Sequence, residues 1–185
     1  RSNPQGVDIM RNAPIYGKSI PFYSLYSGQR ISSRLPWFRG RKKSPMEVET
    51  SVLADFIKRD VFGSPFSIVV DVHSGFGFKD RIWFPYALSK EVFPRVAKMM
   101  VFHRLLNTIL PQNMYVVEPQ SRNYLAHGDV WDYLYKEHEK EHPDNVFLPI
   151  CMEIGSWAWL KKNPRQIFNP HGLFHPIVPH RTKRT

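Results

Sequence analysis

An apolar run near the middle of the chain ends in polar residues and reads Ser67-Ile68-Val69-Val70-Asp71-Val72-His73-Ser74-Gly75. A short, nearly continuous apolar run of this kind is typical of a fully buried strand. A second such run, Val146 to Met152, ends in Glu153. In open α/β sheets, ligands bind in the crevice outside the carboxyl ends of the strands. His73 and Glu153 are therefore the first candidates for a functional site.

The rest of the pattern predicts strands that alternate with helices. Helices are expected at residues 44–63, 89–110 and 129–141, and strands at residues 7–10, 66–72, 81–86, 114–117 and 146–154. Ser44-Pro45-Met46-Glu47 has the form of a capping box and predicts the start of the first helix. Asp129 is expected to cap the third helix. The alternation indicates a single α/β domain with a mixed, partly parallel sheet flanked by helices.

The composition limits the class of protein. The chain has 185 residues, 42% of them hydrophobic, which is enough for one domain with a sizeable core. No stretch approaches the roughly 20 apolar residues of a membrane span. Cys151 is the only cysteine, which favours a reducing, cytoplasmic compartment and, inside an apolar strand, indicates a small buried side chain. Because the chain starts at Arg1 without a methionine, we expect a fragment or a processed product.

The formal net charge of +10 raises the question of a polyanionic partner. The densest basic run consists of Arg30, Arg34, Arg39, Arg41, Lys42 and Lys43. No groove-reading motif or repeat accompanies it, so a solvated loop is expected rather than a nucleic-acid surface.

One segment matches a metal motif in letters only. His138-Glu139-Lys140-Glu141-His142 has the H-E-x-x-H spacing of zinc metalloproteases, which requires both histidines on one face of a sheltered helix. Here the inner positions are charged, and Pro143 ends the helix directly after the second histidine. We therefore expect a solvated, charged helix end.

Six segments, taken in chain order, resemble the zinc metallocarboxypeptidase family, the carboxypeptidase A/B-like enzymes. They are residues 8–14, 47–50, 73–74, 82–86, 124–129 and 152–155. The resemblance runs from about Asn3 to about Pro176. It covers only the second part of the family's catalytic domain, so residues 1–185 are expected to form a partial carboxypeptidase-like domain whose N-terminal part is missing.

The resemblance implies a zinc site and a proton carrier. The third zinc ligand of the family falls on His73, and its catalytic glutamate falls on Glu153. The other two zinc ligands come from an upstream His-x-x-Glu motif that this chain does not contain. Because one histidine cannot make a catalytic zinc site, we expect the isolated chain to be inactive.

The resemblance also implies residues that bind the substrate. The family's Asn-Arg pair, which grips the terminal carboxylate, falls on Met10 and Arg11, so only the arginine is kept. The mobile tyrosine that covers the substrate falls on Tyr124, and Ser74 follows the histidine ligand. The base of the specificity pocket falls on Trp131, whose bulk favours small or unusual terminal groups.

These expectations describe a zinc-dependent exopeptidase that acts on peptides or small amino-acid-derived substrates. One alternative keeps the fold and the metal but deacylates N-acyl amino acids, as in the related aspartoacylase and succinylglutamate desuccinylase group. Another is a non-enzymatic module in which the basic loop binds a polyanionic partner.

Overall fold

The computed structural model describes residues 2–21, 24–73 and 79–154. Within this part of the chain, three α-helices flank a four-stranded sheet. The strands are β1 (Phe66–His73), β2 (Arg81–Phe84), β3 (Val116–Pro119) and β4 (Val146–Glu153), and the helices are α1 (Val48–Asp60), α2 (Val96–Ile109) and α3 (Val130–Glu141). The expected α/β class with a mixed sheet is confirmed. None of the described helices combines the length and the apolarity that a membrane crossing requires.

The order of the strands brings the two candidate strand ends together. The order is β1-β4-β2-β3, with β1 parallel to β4, β2 parallel to β3, and β2 antiparallel to β4. In the β1–β4 register, His73 lies beside Glu153. The carboxyl ends of these two parallel strands therefore meet at one edge of the sheet, as the sequence predicts.

The expectation of a fully buried first strand is wrong. Along β1 the even-numbered side chains Phe66, Ile68, Val70 and Val72 are exposed, and the odd-numbered ones are half-buried. On the same face of the neighbouring strand, Leu148 and Ile150 are buried. The described elements therefore cover this face of the sheet at β4 but not at β1, which lies at its edge.

Helix α1 begins later than its capping box predicts. Its first residue is Val48, and its N-cap is Glu47, whose backbone N–H donates to Asn12 Oδ1 at 2.6 Å. The buried face consists of Thr50, Ala54 and Ile57, whereas the apolar side chains of Val48, Val52 and Phe56 are exposed. Contacts with α3 and the N-terminal loop decide which face is buried, and the small side chains Thr50 and Ala54 suit this close packing.

The expected strand at residues 7–10 is also wrong. Asp8 makes one isolated bridge with Ser2, and a short 3-10 helix, Ile9–Arg11, follows at once. The Asp8 carboxylate accepts a hydrogen bond from Met10 N at 3.1 Å, so the side chain caps this turn. A short polar side chain that satisfies the local backbone competes with strand pairing in this way.

Helix α2 begins at Val96 and not at Ser89, where the sequence predicts its start, so Pro94 lies before the helix.

The core between the sheet and α3 contains many aromatic side chains. Its fully buried members include Phe62, Phe93, Tyr135 and Phe147. Asp132 of α3 is buried among them, and its Oδ2 accepts hydrogen bonds from Ala87 N at 2.8 Å and Leu88 N at 2.7 Å. Burial and the neighbouring Asp129 hold the pKa of Asp132 well above its ordinary value. This carboxyl therefore fixes the segment after β2 to α3.

The sequence predicts that His138 belongs to a solvated helix end, and this prediction is wrong. Its side chain is fully buried, and its ring packs against Phe62 at 5.0 Å and Phe147 at 5.2 Å between centroids. Within the described part of the chain, neither ring nitrogen makes a hydrogen bond. His138 follows the buried residues Leu134 and Tyr135 by four and three positions, so it lies on the buried face of α3, and the H-E-x-x-H spacing belongs to a packed helix end.

We expect His138 to make the protein sensitive to acid. Burial lowers the pKa of His138, an effect that Glu139 opposes and that His142 and Arg95 reinforce. The unfolded chain therefore binds the proton more readily, and the free energy of unfolding should fall as the pH drops below about 6.5. His138→Leu should flatten this dependence between pH 7 and 5, as measured by urea unfolding. His103→Gln, on α2, should keep it, and an unchanged slope in His138→Leu would contradict the role of His138.

Candidate active site and metal centre

Four side chains with metal-ligand or proton-transfer chemistry share one face of the β1–β4 pair. Asp71 lies beside Cys151, and His73 lies beside Glu153. Side chains two residues apart on a strand point to the same face, and neighbouring strands lie about 4.8 Å apart. The four groups therefore occupy the corners of a small rectangle on the face that also packs against α3.

A hydrogen-bond chain fixes the orientation of His73. Asp71 Oδ2 lies 2.8 Å from His73 Nε2 and accepts a hydrogen bond from Trp131 Nε1, also at 2.8 Å. Trp131 is in the first turn of α3, so the helix holds the carboxylate and the carboxylate holds the imidazole. A carboxylate behind an imidazole is the usual support for a metal-binding histidine.

Glu153 is the most buried member of the group, with 5% of its surface exposed. The thiol of Cys151 donates to Glu153 Oε1 at 3.9 Å, and Ile154 N donates to His73 O at 3.2 Å, which ties the two strand ends together. Cys151 is half-buried beside these polar groups, so the expectation of a small buried apolar side chain is wrong.

Arg11 is buried and already paired within the chain. Its Nη1 donates to Asp8 Oδ2 at 2.9 Å, its Nε to Tyr26 O at 3.2 Å, and its Nη2 to the Tyr124 hydroxyl at 3.4 Å. Burial opposes the charge, but Tyr124, Asp8 and Asp129 together raise the pKa of Arg11. The structure thus brings together Arg11 and Tyr124, both predicted to bind the substrate, and adds Asp8 as a counter-charge.

Arg39 holds the loop that carries the basic run. It is buried, and it donates through Nε to Arg11 O and through Nη2 to Ile15 O, both at 3.0 Å. Burial, followed by repulsion from Arg30, lowers the pKa of Arg39 to about 10. The expectation of a solvated loop is wrong for Arg39. The expectation holds for the basic residues on either side of Arg39, which are exposed: Arg34, Arg41, Lys42 and Lys43.

Asp129 lies between Arg11 and the strand-end residue Asp71, and both charges act on its carboxyl. Its carboxylate accepts hydrogen bonds from Trp131 N and Asp132 N, which confirms the expected helix cap. Burial raises the pKa of Asp129 to about 6, although the Asp132 amide and the Arg11 charge lower it. Because this folded-state value exceeds that of an unfolded carboxyl, stability is lost as the pH rises from about 4 through 6, the opposite sign to His138.

Gly128 allows the Asp129 cap to lie against the Arg11 segment. Its φ is +69°, and a Cβ built on it would lie 2.0 Å from the Arg11 carbonyl oxygen. Only a residue without a side chain permits both the backbone angle and this approach. The Arg11–Tyr124 group and the start of α3 are therefore joined through backbone contact.

The structure thus gathers the predicted site residues into two neighbouring groups. His73, Glu153 and Trp131 belong to the group on the sheet, and Arg11 and Tyr124 belong to the group on the loop. Ser74 lies outside the described residues, so its predicted contact with substrate stays a prediction. The predicted role of Trp131 at the base of a specificity pocket also stays a prediction.

Sequence reasoning missed Asp71, Cys151 and Asp8. Asp71 gave a usable signal, because aspartate is depleted in strands and lies two residues before His73, hence on the same face. Cys151 relates to Glu153 in the same way. Asp8 lies in the segment 8–14 that carries the resemblance, but its pairing with Arg11 depends on a 3-10 turn that the apolar pattern does not predict.

Asp71, His73 and Cys151 form a cluster with metal-ligand chemistry. Their ligand atoms all lie within 4.8 Å of one another, and this is the only group of three such residues in the part of the chain that the structure describes. Imidazole nitrogen, thiolate sulfur and carboxylate oxygen are the donors that zinc accepts. The residues present therefore fit a zinc ion.

Comparison with family models and with curated proteins finds no match. Comparison with solved structures finds similar folds. Carboxypeptidase A from Helicoverpa armigera is similar over 78% of this chain and 32% of that chain, with a TM-score of 0.56 and 18% identity. Bovine thrombin-activatable fibrinolysis inhibitor, in complex with tick carboxypeptidase inhibitor, is similar over 97% of this chain and 58% of that chain, with a TM-score of 0.54 and 16% identity.

These likenesses confirm the resemblance at the level of the fold. The partly parallel four-stranded sheet with its three helices is similar to a carboxypeptidase fold. The chain spans less than two thirds of the length of either structure.

Proposed function

We propose that the protein is a zinc-dependent carboxypeptidase that hydrolyses the C-terminal peptide bond of peptides, and that this chain supplies the second part of its catalytic domain. The observation that carries the proposal is the pairing of His73 with Glu153 at the carboxyl ends of two parallel strands. Its setting, a carboxypeptidase-type fold, supports the same reaction.

The roles follow from the chemistry of each group. A zinc ion with one open coordination position supplies a bound water whose pKa falls towards about 7. His73 would hold that ion, with its ring oriented by Asp71. Glu153, buried at the same strand ends, would accept a proton from the water and return it to the leaving amine.

The second group would bind the substrate. Arg11 presents Nη2 towards the Tyr124 hydroxyl at 3.4 Å, and a terminal carboxylate could accept hydrogen bonds from both groups. Asp8 fixes the guanidinium through Nη1, so Arg11 would not need to reorganise when the substrate binds. If Trp131 forms the base of the specificity pocket, its bulk would favour substrates with a small C-terminal side chain.

The test compares the natural full-length protein, loaded with zinc, with its Glu153→Gln form. We expect Glu153→Gln to release C-terminal amino acids from peptides about 10²- to 10⁴-fold more slowly, because the proton carrier is lost. Zinc content, measured by atomic emission, should stay the same in both forms. Equal turnover by the two proteins would overturn the role given to Glu153.

The same preparation separates the alternatives. Release of acid from small N-acyl amino acids, with no release from peptides, would favour the deacylase. Purification without stoichiometric metal would favour a non-enzymatic module.

A further inference from the structure

We propose that the basic loop, residues 25–43, binds acidic side chains near the C-terminus of a peptide, so that the substrates of the proposed carboxypeptidase are peptides that end in acidic segments. The inference deepens the proposed function and rests on it for the reaction. The acidic preference comes from the charges and the contacts of the loop.

The positive charge of the chain is concentrated before the first helix. Residues 9–46 contain eight lysines and arginines and no aspartate or glutamate, whereas residues 47–185 contain seventeen basic and fifteen acidic residues. The exposed charged side chains of the basic loop are Arg34, Arg41, Lys42 and Lys43. Because charges of one sign attract ligands of the opposite sign and speed their association, the loop favours an anionic ligand.

Two arginines within the loop carry charge that no carboxylate of the described residues neutralises. Arg39 is buried, donates to backbone carbonyls, and has its guanidinium carbon 5.1 Å from the centre of the Tyr16 ring. Arg30 Nη1 donates to Gly40 O at 2.7 Å and to Arg41 O at 2.6 Å. Since buried charges are normally paired, this surplus favours a counter-ion that arrives with the ligand.

The carboxylates that flank this region in the sequence are already engaged. Asp8 accepts a hydrogen bond from Arg11 Nη1, and Glu47 Oε2 accepts one from Asn3 Nδ2 at 2.9 Å. Because these two carboxylates have other partners, the positive charge of the loop remains for a ligand.

The loop is held in shape by its own hydrogen bonds. Gln29 is buried, its Nε2 donates to Ser32 O at 2.8 Å, and its Oε1 accepts from Ile31 N at 2.6 Å. Its backbone oxygen accepts from Arg39 N at 2.8 Å. A preformed loop loses little conformational entropy on binding, so more of the electrostatic attraction contributes to affinity.

The basic loop is built directly against the proposed carboxylate-binding group. Tyr26 O accepts from Arg11 Nε at 3.2 Å, and the Tyr26 ring lies 6.1 Å from the Tyr124 ring. Arg39 Nε donates to Arg11 O at 3.0 Å. A peptide whose terminal carboxylate binds Arg11 would therefore have its last side chains within reach of the loop. This position favours an acidic peptide over a nucleic acid or an anionic membrane.

The first experiment measures binding without turnover. Two fluorescein-labelled peptides, one with several glutamates before its C-terminal alanine and one with glutamines in their place, are titrated with the purified chain and followed by fluorescence anisotropy. We expect the glutamate peptide to bind at least about tenfold more tightly in about 0.05 M salt, and the difference to shrink in about 0.5 M salt. Amidation of its C-terminus should weaken binding, because Arg11 loses its carboxylate.

A matched pair of double variants locates the binding surface. Arg41→Gln combined with Lys42→Gln should raise the Kd of the glutamate peptide at least about threefold and leave that of the glutamine peptide unchanged. Arg104→Gln combined with Lys98→Gln removes the same charge from exposed positions of α2 and should change neither. Far-ultraviolet circular dichroism checks that both double variants are folded.

Three results would overturn the inference. They are equal affinity for the two peptides, equal weakening by the two double variants, and tighter binding of single-stranded DNA or of phosphatidylserine vesicles than of the glutamate peptide. The measurements need neither metal nor catalysis, so none of these results touches the Glu153→Gln comparison. Binding of the glutamate peptide together with equal turnover by the natural and Glu153→Gln proteins would overturn the role of Glu153 and leave the acidic preference standing.

Discussion

Replacing Asp8 with alanine is expected to lower the free energy of unfolding by about 3–5 kcal/mol, because it leaves the charge of Arg11 buried without its counter-ion. The pair is almost fully enclosed, with 5% and 3% of the two side chains exposed. The same carboxylate also caps the turn through Met10 N, and this hydrogen bond would be lost too. Urea unfolding, followed by circular dichroism, measures the change.

Two variants separate the charge from the cap. Asp8→Ala combined with Arg11→Met removes both charges and should recover a large part of the lost stability. Asp60→Ala breaks the exposed pair with Arg59 and should produce no measurable change. If Asp8→Ala were as mild as Asp60→Ala, the Asp8–Arg11 pair would not be a stabilising contact.

Phe147→Ala should lower the free energy of unfolding by a similar amount, about 3–5 kcal/mol, because it leaves a cavity among the aromatic side chains of the core. Phe147 is fully buried, and its ring lies 5.5 Å from that of Phe62 and 5.2 Å from that of His138. It projects from β4 towards α3, on the same face as Cys151 and Glu153. Unfolding in guanidinium chloride measures the loss.

The controls for this prediction vary the size and the burial of the side chain. Phe147→Leu keeps most of the volume and should lose less than half as much. Phe56 on α1 is 48% exposed, so Phe56→Ala should change the free energy of unfolding by less than about 1 kcal/mol. If Phe147→Ala lowers the free energy of unfolding no more than Phe56→Ala does, the surrounding side chains have collapsed into the cavity and the prediction is wrong.

The sequence predicts correctly that His73 and Glu153 lie close together, because both are at strand ends. His73 and Glu153 follow two apolar runs, and parallel strands place their carboxyl ends at one edge of a sheet. The helix cap at Asp129 follows from local chemistry. These features need only the period of a strand and the preferences of a helix start.

The sequence does not predict which apolar faces are buried. Val70 and Val72 belong to a run that is typical of a fully buried strand, yet both are exposed at the edge of the sheet. Val52 and Phe56 fit the helical period of α1, yet its buried face centres on Ala54. Burial depends on what packs against each face, and periodicity contains no information about that partner.

The sequence also does not predict the contacts that orient the side chains of the site. Trp131 and Asp71 are 60 positions apart in the chain, and only the packing of α3 over the sheet joins them. Arg11 and Tyr124 are 113 positions apart. The resemblance predicted these residues singly, whereas the hydrogen bonds between them depend on the tertiary structure.

The register of one strand pair also limits how this protein can change over evolutionary time. Asp71 and His73 share a face with Cys151 and Glu153 only because β1 and β4 pair residue by residue, with no extra residue in either strand. Inserting or deleting one residue between Phe66 and Asp71 would turn Asp71 and His73 to the opposite side of the sheet, away from Glu153. A substitution at an exposed even-numbered position of β1 leaves this arrangement in place, whereas a change in the length of β1 removes it as surely as the replacement of His73.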